Sequence, residues 1–346
     1  MMTDYRNILI VRTDRIGDII LTTPAIEAMR TNFPNAKITV LVSRVTRDLV
    51  DGNPYLDEIL IDDRQGRFKG VFGFWQLVAQ IRSRKFDVAF IFHTKKRTNL
   101  LCFFAGIPVR IGYKDKNYGF LLTRGFEDRR HFGEQHEVEY CLDILRKMGL
   151  KVASPSTFLP VDPKAEQWAQ GWLAQNNPSG LRIIAIHPGA SDSTKRWPAG
   201  CFMGLVDQLI DRHKCLVIVI GVGVAVDLAR ELRAQCSRPF IDLTGQTSVA
   251  QIVSLLRRCQ LLISNDSGPM HLGAAAGIYV IALFLRNQPG INPERWRPFT
   301  PKGFVLANKP EEAIRLGSDG SVVSGHKDSI QVEDVLSLAD DLLKRL

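Results

Sequence analysis

The sequence has no apolar run long enough to cross a membrane, and its cysteines form no recognisable pattern. A transmembrane helix needs about 20 mainly apolar residues, whereas the first apolar stretch, Ile8–Val11, has four and is followed by Arg12. The six cysteines show no CxxC or Cys/His spacing of the kind that binds zinc or forms a redox pair. We therefore expect no secretion signal, no membrane span and no metal site, and a cytoplasmic protein with reduced thiols.

Extremes of composition are also missing. Hydrophobic residues make up 45% of the chain and charged residues 23%, which excludes a mainly disordered or fibrous protein. Short β-branched runs alternate with amphipathic stretches, a pattern that predicts βαβ units and parallel sheets. A chain of 346 residues suggests two domains, and a proline cluster near 154–163 marks their boundary. We predict an α/β fold with domains at 1–160 and 161–330, an irregular stretch over 286–330, and a terminal helix over 331–346 that packs back on the first domain.

Positive charge is what the chain has in excess. The net charge is +9, and the segment Lys95–Arg130 holds nine basic residues against three acidic ones. Such a run is most simply a solvated surface; the alternative is a docking surface for an anionic partner such as a phosphorylated substrate, a membrane surface or nucleic acid.

One loop of the first domain carries candidate chemistry. Ligands of open α/β sheets bind beyond the carboxyl ends of the strands, and Arg12–Asp18 directly follows the first predicted strand. Gly17 would allow close approach of a ligand. Asp18 would then lie at the mouth of a cleft, where a carboxylate can act as a general base. Equally, Asp18 could favour the N-terminus of the next helix.

Two loops of the second domain have the residue types that bind phosphate. Each lies between a predicted strand and a predicted helix, where free N–H groups and basic side chains attract anions. In the second of them we expect Ser267 to cap its helix and Gly268 to let a ligand come close. The candidate residues of these loops are Lys195, Arg196, Asp266, Ser267, Gly268 and His271.

A third loop of this domain keeps an alternative open. Gly221 and Gly223 form part of a dinucleotide-binding fingerprint that lacks its third glycine, and Asp242 follows at about the spacing of a ribose ligand. This pattern would suit a nicotinamide-dependent oxidoreductase. It also occurs in ordinary tight turns after strands.

Four segments, in this order, resemble glycosyltransferase family 9, the lipopolysaccharide heptosyltransferases. They are Ile10–Asp18, Phe104–Tyr113, Pro188–Pro198 and Asn265–His271. The second is most similar to heptosyltransferase II-like members. The resemblance covers nearly the whole chain and implies a GT-B fold, in which two Rossmann-like domains face a central cleft. It also implies an inverting transfer of heptose from ADP-L-glycero-β-D-manno-heptose to the inner core of lipopolysaccharide, without a metal or other cofactor.

The resemblance also assigns roles to residues. It implies that Asp18 is the catalytic base and that Lys195 contacts phosphate. Gly17 would bind the donor together with the remaining residues of the two phosphate loops, Arg196, Asp266, Ser267, Gly268 and His271. The acceptor would be an anionic glycolipid, Kdo-lipid A or the heptosyl core, met by Lys95, Lys96 and Arg97 at the inner face of the inner membrane, with the enzyme peripheral and no nucleic acid bound.

Two departures from the family pattern bear on the donor. Ala225 stands where members often carry a ribose-binding Glu, and the segment Leu285–Gly290 differs from the usual loop near the donor sugar. A family 9-like transferase that uses another sugar nucleotide or acceptor therefore stays an alternative. So do the oxidoreductase and a nucleotide-sensing or nucleic-acid-binding module.

Overall fold

The computed structural model of the protein describes residues 4–308, 322–326 and 329–345. The chain divides into two compact units, Met1–Pro160 and Val161–Leu346. Each unit is a parallel sheet with flanking helices, as the alternation of apolar runs and amphipathic stretches predicts. Within the described ranges, no helix combines the length and apolarity that crossing a bilayer would need.

The first unit contains six strands and five α-helices, along with two short 3₁₀ helices at Arg44–Leu49 and Gly119–Leu121. The strands are β1 (Asn7–Arg12), β2 (Lys37–Ser43), β3 (Glu58–Asp62), β4 (Val88–Ile91), β5 (Val109–Lys114) and β6 (Arg124–Glu127). The helices are α1 (Ile16–Ile20), α2 (Thr23–Asn32), α3 (Gly70–Arg82), α4 (Lys96–Phe104) and α5 (Glu137–Lys147).

The first sheet is parallel throughout, in the order β3-β2-β1-β4-β5-β6. Its central strand β1 is apolar on both faces, and Ile8 to Val11 are fully buried. A strand covered on both sides needs such a continuous apolar run. Strands β5 and β6 lie within the basic segment Lys95–Arg130, so that segment forms one side of the sheet as well as surface.

The second unit contains seven strands, seven α-helices and a 3₁₀ turn at Ser193–Lys195 among its described residues. The strands are β7 (Ile183–His187), β8 (Leu216–Val219), β9 (Ile241–Asp242), β10 (Leu261–Asn265), β11 (Tyr279–Phe284), β12 (Gly303–Asn308) and β13 (Val322–His326). The helices are α6 (Pro163–Asn176), α7 (Ala199–His213), α8 (Val224–Gln235), α9 (Val249–Leu256), α10 (Gly268–Ala275), α11 (Pro293–Trp296) and α12 (Val332–Lys344).

The second sheet is also parallel, in the order β13-β12-β11-β10-β7-β8-β9. Its β12 and β13 fall in the stretch predicted to be irregular over 286–330, and that prediction is wrong there. The short apolar run of β12, Phe304 to Ala307, lies amid prolines and glycines that hid it.

The terminal helix α12 packs differently from our expectation. Val335, Leu336, Ala339, Leu342 and Leu343 are buried in the core of the second unit. They lie against α7, and Arg212 of α7 pairs with Asp340 at 3.1 Å. The apolar face of α12 is therefore used within the second unit and not, as predicted, on the first domain.

Candidate active site

Each sheet has one place where the strand order reverses, and the candidate residues lie there. In the first sheet the reversal lies between β1 and β4, and in the second between β7 and β10. The loops after two such strands diverge and leave a crevice at their carboxyl ends, where open α/β sheets bind ligands. Asp18 follows β1, Lys195 follows β7 and Asp266 follows β10.

In the first unit, a buried arginine organises the reversal point. Arg12 ends β1 with its side chain 1% exposed. Its Nη2 lies 2.7 Å from Asp18 Oδ1 and 3.0 Å from Glu137 Oε1. Its Nε lies 3.1 Å from Asp14 Oδ1. The single guanidinium of Arg12 is thus shared by three carboxylates.

The buried position of Asp18 changes its acidity. Burial raises the pKa of Asp18 to about 6, because a buried carboxylate loses its hydration; Arg12 opposes the rise, while Asp14 and Glu137 add to it. A carboxyl group with a pKa near 6 is still ionised at pH 7 and is a stronger base than an exposed aspartate.

His93 follows β4 and faces the same cluster. Its Nδ1 lies 3.0 Å from Thr13 Oγ1. Burial, with the neighbouring Arg12, lowers the pKa of His93 to about 3, so the ring is neutral at physiological pH. His93 therefore adds no positive charge beside Asp18.

The two interpretations of Asp18 can now be compared. Asp18 is the acidic residue in the first turn of α1, where its charge suits the helix N-terminus, and its carboxylate is also held by Arg12. The geometry is therefore consistent with both interpretations. Gly17 is buried in the helix and is not among the glycines with positive φ, so left-handed backbone is not the reason for glycine there.

Sequence reasoning missed Arg12 and Glu137 as members of this site. A charged residue at the end of an otherwise apolar strand was a usable signal for Arg12. Glu137 lies 125 residues further along the chain, at the start of α5, where His136 Nδ1 accepts a hydrogen bond from the N–H of Val138. No local pattern connects it to Asp18.

The three predicted acceptor residues differ from one another. Arg97 binds the buried Asp62, with Nη2 2.7 Å from Oδ1 and Nε 3.0 Å from Oδ2. Lys95 and Lys96 are exposed, and neither forms an ion pair with any described residue. Only the two lysines are therefore available to an anionic ligand.

In the second unit, the two predicted phosphate loops meet. Lys195 Nζ pairs with Asp266 Oδ2, and both side chains are largely buried. Asn265, at the end of β10, holds the loops together: its Nδ2 donates to Pro188 O at 2.7 Å, and its Oδ1 accepts from the Trp197 N–H at 3.0 Å. Lys195 is thus fixed beside the start of α10.

The start of α10 differs from our prediction in one detail. Ser267 occupies the N-cap position, but its hydroxyl donates to Asn265 O at 3.1 Å and does not cap the helix. That prediction is wrong because the preceding turn competes for the hydroxyl. Gly268 begins the helix, and His271 is buried within it.

Arg196 lies in the loop after β7, and the segment Leu285–Gly290, which differs from the usual family loop, contacts the same loop. Arg196 Nε donates to Ala190 O at 2.9 Å. Arg286, in the segment Leu285–Gly290, pairs with Asp192 of that loop. Sequence reasoning missed Arg286, because only the fold brings its segment beside β7.

The Gly221 turn is a tight turn of the ordinary kind. Gly221 has φ of +138°, and a Cβ there would lie 2.6 Å from the Cβ of Ala225. Ala225 is fully buried, so its side chain faces this turn and not an open ribose site. The Asp242 carboxylate accepts hydrogen bonds from Thr244 N and Oγ1, at 2.9 and 2.7 Å.

Comparison with known proteins identifies the family. The model of glycosyltransferase family 9 (heptosyltransferase) matches residues 74–319. Lipopolysaccharide heptosyltransferase 3 of Escherichia coli (strain K12) is 25% identical over 338 residues, which cover 94% of this chain and 95% of that protein.

Two solved structures share the fold. The glycosyl transferase family 9 structure from Veillonella parvula superposes with a TM-score of 0.85 at 23% identity, covering 100% of this chain and 99% of that one. The E. coli heptosyltransferase WaaC with ADP gives a TM-score of 0.70 at 14% identity, covering 97% and 99%.

These findings confirm the predicted α/β fold with two Rossmann-like sheets, the fold class of GT-B enzymes. They also overturn the oxidoreductase alternative, because the family model covers most of the chain and the Gly221 turn has an ordinary structural role. The chain belongs to glycosyltransferase family 9, the heptosyltransferases, and is a glycosyltransferase.

Proposed function

We propose that this enzyme transfers a heptose from an ADP-heptose donor to the inner core of lipopolysaccharide, with inversion at the anomeric carbon. The observation that carries the proposal is the Asp18 carboxylate, held by Arg12 at a reversal point of the sheet and made more basic by burial. The family relationship supplies the reaction class.

In the first unit, Asp18 takes the proton from an acceptor hydroxyl. That hydroxyl then attacks the anomeric carbon of the donor from the face opposite the leaving diphosphate. Arg12 holds the Asp18 carboxylate in place, and Glu137 and Asp14 keep Arg12 from fully suppressing the basicity of Asp18. General base catalysis of this kind contributes about 10²–10⁴-fold to a rate.

In the second unit, the loops after β7 and β10 hold the diphosphate. Lys195 and the N–H groups at the start of α10 stabilise the charge that grows on the leaving group. Asp266 holds Lys195. Arg196, Ser267, Gly268 and His271 line the same pair of loops and complete the donor site, with Gly17 of the first unit assigned to the donor by resemblance.

The acceptor is an anionic glycolipid, Kdo-lipid A or a heptosyl core, at the inner face of the inner membrane. Lys95 and Lys96 are exposed cations near the carboxyl end of β4, and they meet its phosphate or carboxylate groups. Arg97 supports the same surface indirectly by neutralising Asp62.

The donor is the least constrained part of the proposal. A relative of the same fold has been solved with ADP, which supports an adenine nucleotide. The buried Ala225 offers no carboxylate for the ribose, so a different sugar nucleotide is the second candidate.

A nucleotide-release assay tests both candidates. The full chain is incubated with ADP-heptose, UDP-sugars and GDP-sugars, each with and without a truncated core acceptor carrying Kdo. We expect acceptor-dependent release of ADP from ADP-heptose alone. Release of UDP or GDP would replace the donor, and no release from any donor would contradict the proposed function.

A further inference from the structure

Helix α3 exposes large apolar side chains on the face that is turned away from the core. Val71 and Phe72 are 77% and 78% exposed, and Trp75 is 47% exposed. Their spacing of three and four residues places them on one face. Phe103 of α4, which is 43% exposed, extends this surface. We call these four side chains the α3 patch.

The aromatic rings make the α3 patch continuous between the two helices. The ring centroid of Phe104 lies 4.9 Å from that of Trp75 and 5.4 Å from that of Phe103. The opposite face of α3 packs in the core through Leu77, Val78 and Ile81. Packing on Phe104 accounts for part of Trp75 and Phe103, but it does not account for Val71 and Phe72, which are 77% and 78% exposed. Contiguous exposed apolar patches of this kind mark interaction surfaces.

Basic residues surround the α3 patch, and acidic ones are missing from its segment. Between residues 64 and 86 the sequence contains six basic residues and no acidic one, although Arg64 and Arg84 pair with Asp62 and Glu58 outside that range. Lys69 precedes α3, and Arg82 ends it and donates to Phe104 O. Neither cation forms an ion pair with any described residue. The centre of the α3 patch is therefore apolar, and an unpaired positive charge lies at each end of it.

This charge distribution indicates which kind of partner could bind the α3 patch. A second copy of the chain, packed about a twofold axis, would bring Lys69 and Arg82 against the same cations with no carboxylate in the segment to offset them. An anionic lipid surface offers the opposite charge, and its interfacial region accommodates tryptophan and phenylalanine beside basic residues.

We propose that the α3 patch docks the first unit on an anionic phospholipid bilayer, with Phe72 and Trp75 in the interfacial layer and Lys69 and Arg82 against the headgroups. The α3 patch shares no residue with the Asp18 cluster or with Lys95 and Lys96. This inference deepens the proposed function and rests on it in one respect: a glycolipid acceptor would explain why the enzyme binds a membrane. Lipid binding itself is measured without acceptor or donor.

Vesicle flotation tests the inference on the full chain. We expect binding to vesicles of phosphatidylcholine with 30% phosphatidylglycerol, weakened at high salt, and at least about tenfold weaker binding to phosphatidylcholine alone. Phe72→Ser/Trp75→Ser and Lys69→Gln/Arg82→Gln should each lose about tenfold or more in affinity for the anionic vesicles. Matched controls, Leu181→Ser for exposed apolar area and Lys151→Gln/Lys164→Gln for charge, should bind as the unaltered chain does.

Two further readouts make each outcome decisive. Phe72→Ser/Trp75→Ser should keep its circular dichroism spectrum and its turnover on a water-soluble, delipidated core acceptor, so that the membrane inference and the proposed function fail separately. Equal vesicle binding by patch variants and controls would overturn the inference. So would an absence of vesicle binding together with a dimer in light scattering that these variants dissociate.

Discussion

In the first unit one buried guanidinium, Arg12, faces three carboxylates, whereas in the second unit one ammonium, Lys195, faces Asp266 beside a helix N-terminus. Both groups occupy the reversal point of a parallel sheet, so the fold does not set the difference between them. The surroundings of each charged group do. Burial, with Asp14 and Glu137 adding to its effect, raises the pKa of Asp18 and makes it a base, whereas a cation at a helix start is suited to holding anions.

The largest effect should follow from removing the base. Asp18→Asn keeps the size of the side chain and its contact with Arg12 but cannot accept a proton. We expect turnover to fall at least about a hundredfold, with donor affinity unchanged, in a steady-state assay of nucleotide release. Asp14→Asn is the matched control, because Asp14 also contacts Arg12; it should lose much less. Near-normal turnover by Asp18→Asn would remove Asp18 from the base role.

The next effect should come from the second unit. Lys195→Met removes the cation that is to meet the leaving diphosphate, and charge-assisted hydrogen bonds contribute about 1.5–3 kcal/mol. We expect the donor KM to rise by roughly ten- to a hundredfold, with Lys195→Arg largely rescuing it. If the donor KM stayed constant in Lys195→Met, the role of Lys195 would be limited to its ion pair with Asp266.

A stability measurement separates the two sites further. The folded state raises the pKa of Asp18 to about 6 from 3.8, so Asp18 favours folding while it is protonated, and this contribution is lost as the pH rises through about 6. Asp18→Asn should therefore be more stable than the unaltered chain by about 3 kcal/mol at pH 8, and by less at pH 4. Urea unfolding at the two pH values measures this, and equal stability at pH 8 would argue against the raised pKa.

The smallest effect concerns the acceptor. Lys95→Gln/Lys96→Gln should raise the acceptor KM about two- to fivefold at low ionic strength and not at high salt, because exposed charges are screened. Lys151→Gln/Lys164→Gln is the charge-matched control. Arg97→Gln should instead lower stability, since it leaves the buried Asp62 with less compensation. If the acceptor KM did not change in this variant, the two lysines would be ordinary surface residues with no role in acceptor binding.

Much of the fold could be predicted because both sheets are parallel and covered on both faces. Strands such as β1 and β11 then contain unbroken apolar runs. Strands β5, β6, β12 and β13 were missed, since charged residues interrupt the first two and loop-like residues surround the other two. Packing within the sheet, not local pattern, decides those four.

The site divides in the same way. Asp18, Lys195 and Asp266 could be found from their places after strands. Glu137 and Arg286 could not, because each reaches its partner across the fold and has no local signature. Arg97 is an error of the opposite kind. The sequence suggests that this basic residue binds the acceptor, whereas in the structure its side chain pairs with the buried Asp62.

The division of labour between the two units is tested most directly by titrating ADP into Asp18→Asn and Lys195→Met in parallel, by calorimetry on the full chain. We expect Asp18→Asn to bind ADP as tightly as the unaltered chain and Lys195→Met to bind it at least about tenfold more weakly. Weakened binding by Asp18→Asn with unchanged binding by Lys195→Met would contradict this division of labour.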